Sequence, residues 1–482
     1  MTTMPDPVPT LPDSQATAGY SRLTRDDPGF AEAVYEGLFN KLSVDNPRFS
    51  GEPDLVVAPK TETDVVAIVR AAAQSGTKVA IRSGGHSWIA SSVREASVLV
   101  DLAAFDGISV NVEARTATVG PAVRGERLSK ELVAHGLAFP VGHCGTPALG
   151  GFLLGGGLGV NWGHWLPSCF SIRSLRVVLA SGEIVVASAT SNPDLFWLAR
   201  GSGPGFPGIV TEFELELQPL PGAIRLSTWM FALTDLSAVT RWVSRVSASL
   251  PSNVEVSLVM AGPGRPGATS ASVPFVVGVA ATAFTDNAGA AREALRAFSD
   301  DPGPGVPALD HLEALPVAFD SLHEPVDATY PEGYRYLADT FWNPLDIHDA
   351  LEPLAELITR APSGASYILS GMPKNGHGAE LLPKGEAAFG MHDRSLVVPY
   401  VMWNDSADDA ANLAWLTELR SVLEPTASGH FLSEADLRYD ASRTSGSFAP
   451  GDWARVSQLI TAFDPESLFC GFPQPREKPA AD

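Results

Sequence analysis

The stretch RSGGHSW, residues 82–88, follows three apolar residues, Val79, Ala80 and Ile81, with two adjacent glycines and a histidine. Paired glycines at the end of a buried strand free the backbone to crowd a neighbouring group that a side chain would keep away. The elements around this stretch are well signalled. Thr61 and Asp64 form a capping-box pattern, Val65, Ile68, Val69 and Ala72 follow at helical spacing, and Gly76 lies just beyond, so residues 61–73 read as a helix. That helix leads into a strand at 78–81, and SVLVDL, residues 97–102, reads as the next strand.

A second dense stretch is GHCGTPALGGFLLGGGLG, residues 142–159. Its glycines either let the backbone approach a phosphate-bearing cofactor or make tight turns between core elements. The pattern GxGxxG occurs in GPGFPG, residues 203–208, and in GPGRPG, residues 262–267, but proline occupies the turn in both. The first is followed by a strand, where a dinucleotide fold needs a helix N-terminus, so a Rossmann site is not expected. His86 alone reads either as a hydrogen-bonded structural histidine or as a functional group beside its glycines. Cys144 reads as a small buried hydrophobe or as a special thiol in a glycine-rich loop.

With 482 residues, 45% hydrophobic and 18% charged, the chain has the composition of a compact globular enzyme with a sizeable core. Its 33 basic and 55 acidic residues give a net charge of −22, which opposes binding to nucleic acid and to anionic membrane surfaces. The first twenty residues hold four prolines, no basic start and no apolar core, so we expect a flexible N-terminus at residues 1–20, no secretory signal and a cytoplasmic location. No apolar run reaches the roughly 18 residues of a membrane span. Three cysteines, Cys144, Cys169 and Cys470, do not make a disulfide framework.

Downstream, residues 176–187 read as a hairpin about Ser181 and Gly182, and residues 209–217 (IVTEFELEL) as a long alternating strand. After Pro219 and Pro221 the character changes, with a strand at 395–402 and a helix at 408–419, so a domain boundary is expected near 220. Trp453, Val456, Leu459, Ile460 and Phe463 share one helical face that could pack back on the first domain.

Taken together, these motifs resemble the berberine bridge enzyme-like flavoproteins of the vanillyl-alcohol oxidase type. RSGGHSWIASSV is similar to that family's flavin-attachment loop, and GHCGTPALGGFLLGGGLG to its Gly-x-Cys segment. NPDLFWLARGSGPGFPGIVTEFEL, WNDSADDAANLAWLTELR and WARVSQLITAFDPESLF match as well, so the resemblance spans about residues 52–469. It implies an α+β, two-domain flavoprotein, with an FAD-binding domain at 21–220, an antiparallel-sheet substrate domain at 221–430, and a segment at 431–482 returning to the first domain. It also implies FAD held covalently, with His86 bonded to the 8α-methyl and Cys144 to C6. The other cofactor contacts it implies are Arg82, Ser83, Gly84, Gly85 and Ser87 in the first loop, Gly150, Gly151, Gly155, Gly156, Gly157 and Gly159 in the second, and Ile209. No metal is expected.

The implied activity is that of an FAD-linked oxidase taking hydride from a C–H next to oxygen or nitrogen of a bulky natural product or sugar, with O2 as acceptor. This includes oxidative ring closure. The alternative is a flavoprotein whose FAD is structural, acting as a non-redox cyclase or binding protein. Three departures bear on the chemistry. Phe431 stands where the family has a tyrosine that acts as base in some members. Pro147 replaces a branched aliphatic residue that influences oxygen access, and Ser202 and Pro204 interrupt a glycine triplet. Candidate bases are therefore Tyr334 and Tyr336, whose alternation sends both to one side, and Glu434. The tyrosines read equally as an aromatic core stripe, and Glu434 and Asp436 as solvated carboxylates. His392 and Arg394 are expected to be structural or substrate-shaping.

Overall fold

In the computed structural model, residues 19–35, 37–49, 51–266, 275–373 and 382–474 are described; the expected flexible N-terminus lies almost wholly outside them. The predicted helix forms over Glu62–Ser75. Thr61 accepts from Asp64 N–H, Asp64 answers with its side chain, and Gly76 closes the helix in the left-handed conformation. Its buried face, Val65, Ile68, Val69 and Ala72, covers a small sheet ordered Ser21–Thr24, Leu55–Ala58, Ser97–Asp101, Lys78–Arg82, in which the last three strands run parallel.

A second, antiparallel sheet of five strands is ordered Ile108–Asn111, Thr116–Val119, Gly208–Glu216, Ile172–Leu179, Ile184–Ser188. It contains the expected hairpin about Gly182, which has a φ of +74°. Chain return to this half is explicit. Val79 N–H donates to Leu468 O and Cys470 N–H to Val79 O, so residues 468–470 add to the free edge of Lys78–Arg82. Helix Asp452–Phe463 lies against helix Pro193–Ala199, tied by Arg455 to Asp194 at 2.9 Å.

Residues 223–403 build the largest sheet, antiparallel throughout, ordered Asp310–Val317, Ala223–Ala232, Val276–Thr285, Val254–Ala261, Tyr367–Met372, Ser395–Trp403, Arg335–Ala338. Helices Leu236–Ser247 and Ala288–Asp300 cover one face, where Trp229, Trp242 and Phe298 pack edge to face and tilted at 4.9–5.4 Å. The other face turns toward the glycine-rich loops and leaves a space between the two halves.

Behind strand Ser395–Trp403, helix Asp409–Leu423 carries Arg420 into a buried ion network. It contacts Asp339 and Asp436, each at 2.7 Å, and Arg443 reaches Asp339 at 2.5 Å. Burial alone would raise the Asp339 pKa, but the two guanidiniums hold its carboxyl below the usual range. Asp436 is fully buried, correcting the expectation of a solvated carboxylate. This clamp fixes the segment that follows Phe431 and so decides what that segment presents to the space.

Candidate active site

The space is a single cavity of about 830 Å³, walled on one side by residues 79–92, 142–158 and 469–471 and on the other by strands of the large sheet. His86 reaches it from the tip of the first loop. Gly85 has a φ of +73°, and an added Cβ would lie 1.8 Å from Gly37 O, so only glycine permits the turn that aims the histidine. The imidazole stacks on Phe39 with ring centroids 4.1 Å apart, Phe39 stacks on Tyr336 at 4.9 Å, and Nε2 shares a hydrogen bond with Thr146 Oγ1 at 3.0 Å. Burial pushes the His86 pKa down to about 4, so the ring is neutral at physiological pH.

Cys144 lies on the second loop. Burial, and then the nearby carboxylates of Asp327 and Glu434, push its thiol well above the ordinary range, and it hydrogen-bonds Asp327. Asp327 also accepts from Gly145 N–H at 3.0 Å and pairs with His323 at 2.7 Å, which pins the loop. Pro147 lies on the same wall. The long glycine run divides in two. Gly150 and Gly151 line the cavity, and a Cβ on Gly151 would meet nothing within 4 Å. By contrast, Gly155, Gly156, Gly157 and Gly159 are placed against Ser433, Phe389, Ser168 and the Pro140 carbonyl, off the cavity wall. At these four positions the missing side chain allows close packing between elements.

Of the remaining predicted contacts, Ser83, Gly84 and Ser87 line the cavity, while Arg82 also touches it but spends its guanidinium on Val34 O, Ala33 O and Asp101. Ile209 points into the core beside Leu55 and Val79; its neighbours Gly208 and Val210 reach the wall instead.

The candidate bases part company. Tyr336 is fully buried, its hydroxyl donates to Pro331 O, and its ring backs Phe39. Tyr334 packs on Tyr336 at 6.1 Å, and neither tyrosine is on the cavity wall, because strand Arg335–Ala338 lies at the outer edge of the large sheet, beyond Ser395–Trp403. Glu434 is on the wall. Burial raises its pKa, opposed by hydrogen bonds from Tyr400 and Trp88 and by the charge of His143. Tyr400 Oη donates to Glu434 Oε2 at 2.8 Å, and burial pushes its own pKa well up. Tyr330 and Tyr367 share a hydrogen bond next to it, so three tyrosines and Trp88 surround one carboxylate.

Across the cavity, His143 meets Glu255 at 2.5 Å, and Asn161 N–H donates to the same carboxylate at 2.6 Å. Burial would lower the His143 pKa, but Glu255 and Glu434 outweigh it, so the shift is upward and the protonated imidazole is favoured. Tyr400, Tyr330, Tyr367, His143 and Glu255 escaped the sequence reading. Only His143, the middle residue of Gly-x-Cys, stood inside a motif. Phe431 lines the wall, edge to face with Phe389 at 6.1 Å, and offers no proton acceptor. His392 and Arg394 lie off the cavity, bonded to Gly390 O and Asp346. The three cysteines are free.

A flavin dinucleotide fits this donor set. The cavity volume is within the range of cofactor sites, the loops 83–85 and 150–151 bring backbone to the surface where Gly151 leaves an open cradle, and the neutral His86 nitrogen is of the kind a covalent bond requires.

Comparison with known proteins agrees. Residues 53–188 match the FAD binding domain model. The chain is 29% identical to the FAD-linked oxidoreductase nodO of Hypoxylon pulicicidum over 86% of its own length and 90% of that protein's. It is 28% identical to the FAD-linked oxidoreductase janO of Penicillium janthinellum, over 93% and 96%. Among solved structures, berberine bridge enzyme from Eschscholzia californica superposes with a TM-score of 0.78 at 19% identity, covering 95% of this chain and 96% of that one. For 6-hydroxy-D-nicotine oxidase from Arthrobacter nicotinovorans the TM-score is 0.79 at 20% identity, covering 94% and 97%. The fold is therefore that of the two-domain vanillyl-alcohol oxidase type, as the motifs implied. Among the described residues, no helix is long and apolar enough to cross a membrane.

Proposed function

We propose that this chain, an FAD-linked oxidoreductase with the berberine bridge enzyme-like fold, is an oxidase of a bulky natural product or sugar that removes hydride from a C–H next to oxygen or nitrogen. FAD, tethered through His86 and Cys144, supplies the two-electron redox chemistry, with dioxygen as the final acceptor. Ser83, Gly84, Gly85, Ser87, Gly150 and Gly151 are the backbone that would hold it, and Gly85 keeps His86 aimed.

The chain's own part in the reaction is to move a proton. A substrate hydroxyl or amine must lose one as hydride departs, to a group within about 2.6–3.2 Å or through one relay atom. Glu434 takes that role, directly or through the Tyr400 hydroxyl 2.8 Å away, in place of the phenol that Phe431 cannot offer. Enclosure helps here. A carboxylate whose pKa is raised by burial is a stronger base when ionised than a solvated one. The aromatic wall of Trp88, Tyr330 and Tyr367 excludes water from the same point. Tyr336 supports His86 through Phe39 and stays out of the proton path.

The observation that carries this reading is the Tyr400–Glu434 pair facing the same cavity as His86 and Cys144. Anaerobic addition of an alcohol or amine substrate is expected to bleach the yellow flavin, and admission of oxygen to restore it. A flavin that stays yellow with every alcohol and amine, while the protein still binds them, would favour a structural FAD in a non-redox cyclase or binding protein.

A further inference from the structure

The sheet face beneath the cavity has a composition that local sequence does not reveal. Antiparallel register places residues of successive strands side by side on one face. One such row runs Leu312, Thr228, Ala280, Ser257, Gly371, Leu396. The next row along the strands includes Met230, Gly278, Val259 and Leu369. Neither row holds a charge between its ends, and the side chains are short in the middle, so the floor is hollow as well as apolar. Within the rows the only polar side chains are those of Thr228 and Ser257, and ionisable groups stand at the margins: Glu255 with His143 beyond one row, Tyr367 and Tyr400 beyond the other, and Asp310 at the outer edge. Six strands at about 4.8 Å spacing make this floor roughly 24 Å wide.

The floor also runs past the cavity. Leu312 and Leu315 share its face on the outermost strand and are 44% and 39% exposed, so a long occupant can extend over them toward solvent.

We propose that this floor binds a flat, largely hydrocarbon polycyclic molecule, with its one oxidisable alcohol or amine turned toward Tyr400 and Glu434, and that a sugar is not the substrate. The orientation rests on the oxidase reading above; the choice of hydrocarbon over sugar rests on the floor alone. Each sugar hydroxyl brought onto this surface would give up its water, and across the two rows only Thr228 and Ser257 offer a hydroxyl in return. A hydroxyl buried without a partner costs free energy comparable to a lost hydrogen bond. A fused-ring skeleton asks for no such partners and gains from every apolar contact.

The test uses the holoenzyme without oxygen, the steroid alcohol testosterone and the disaccharide cellobiose as probes, and the visible flavin spectrum as readout. The steroid is expected to perturb the spectrum saturably and cellobiose to leave it unchanged. Gly278→Leu and Gly371→Leu sharpen the result. An added Cβ meets no atom closer than 3.9 Å at Gly278 and none within 4 Å at Gly371, so a side chain has room to start into the hollow at both positions. Each is expected to retain the flavin and weaken steroid binding at least tenfold. A response to cellobiose with none to the steroid, or Leu variants that bind the steroid as wild type does, would overturn the proposal. Steroid binding that meets the Leu criterion, in an enzyme that no alcohol or amine bleaches, would uphold the floor and remove only the oxidase reading.

Discussion

The two walls of the cavity are built by different means. The wall that carries His86 and Cys144 is made of loops whose conformation is dictated locally, by glycines a few residues away. The opposite wall is made of strands whose residues, from Thr228 to Leu396, come together only through register across more than 150 positions of chain. The first wall can be read from short motifs; the second exists only once the sheet is assembled. The cavity therefore sets a proposed cofactor site that a sequence announces against a proposed substrate site that it conceals.

Removing both proposed attachment residues breaks the contrast most completely. After acid precipitation, yellow flavin is expected to remain with the wild-type polypeptide and with His86→Ala or Cys144→Ala singly, and to be released entirely from the double variant. Release from the wild type would end the tether reading. The single variants should differ as well. The neutral His86 ring is ready to react, whereas the Cys144 thiol is held protonated and depends on Asp327, so Cys144 is expected to be the slower bond to form.

On the strand wall, Glu434→Gln keeps the shape and the Tyr400 contact but cannot take a proton. Loss of a positioned base typically costs about 10²–10⁴-fold in rate, so kcat should fall by that factor while flavin content stays at the wild-type level. An unchanged kcat would exonerate Glu434. Arg420→Ala, behind that wall, leaves Asp339 and Asp436 buried with one cation fewer, and breaking such a pair costs about 3–5 kcal/mol. Chemical denaturation should show that loss.

Within the glycine run, two alanine substitutions of equal size should act with opposite sign. At Gly159 a Cβ would lie 2.0 Å from Pro140 O, a backbone atom that cannot swing aside, so overpacking should cost about 1–3 kcal/mol. At Gly151, inside helix Leu149–Leu154 and open to the cavity, alanine should stabilise the flavin-free protein by about 0.5–1 kcal/mol through helix propensity. The same methyl would crowd the cofactor and weaken its uptake. Thermal melts with and without flavin separate the two effects, and equal destabilisation by both would erase the division of the run.

This division marks the limit of what motifs convey. His86, Cys144, Gly85 and Gly151 announced themselves because the motifs that carry them are contiguous in sequence. Gly155 to Gly159 share the composition but meet partners, Ser433 and Phe389 among them, that arrive from hundreds of residues away. Tyr334 and Tyr336 sat in a promising strand, yet only the pairing of Arg335–Ala338 with Trp403 to Tyr400 shows that it is Tyr400, on the next strand inward, that faces the cavity. Asp436 looked like any surface carboxylate until Arg420 was brought beneath it. The helix 62–75, by contrast, carried its own start and stop signals and formed within two residues of where they place it.

The smallest expected effect joins the two walls. Glu434 accepts a proton only when ionised, so kcat/KM should rise with pH through its pKa, and burial sets that acid limb above the usual carboxylate range. The groups that bear on it are Tyr400 and Trp88, which donate hydrogen bonds, and His143, a cation from the loop wall. A cation favours the ionised carboxylate and lowers its pKa. His143→Gln removes that charge, so the acid limb should move to higher pH, while the fully ionised rate at alkaline pH changes less. Glu255→Gln should move it the same way by a smaller amount, because it only weakens the hold on the His143 proton. An acid limb that stays in place in both variants would mean that the loop wall supplies cofactor contacts alone and has no hand in the proton chemistry of the strand wall.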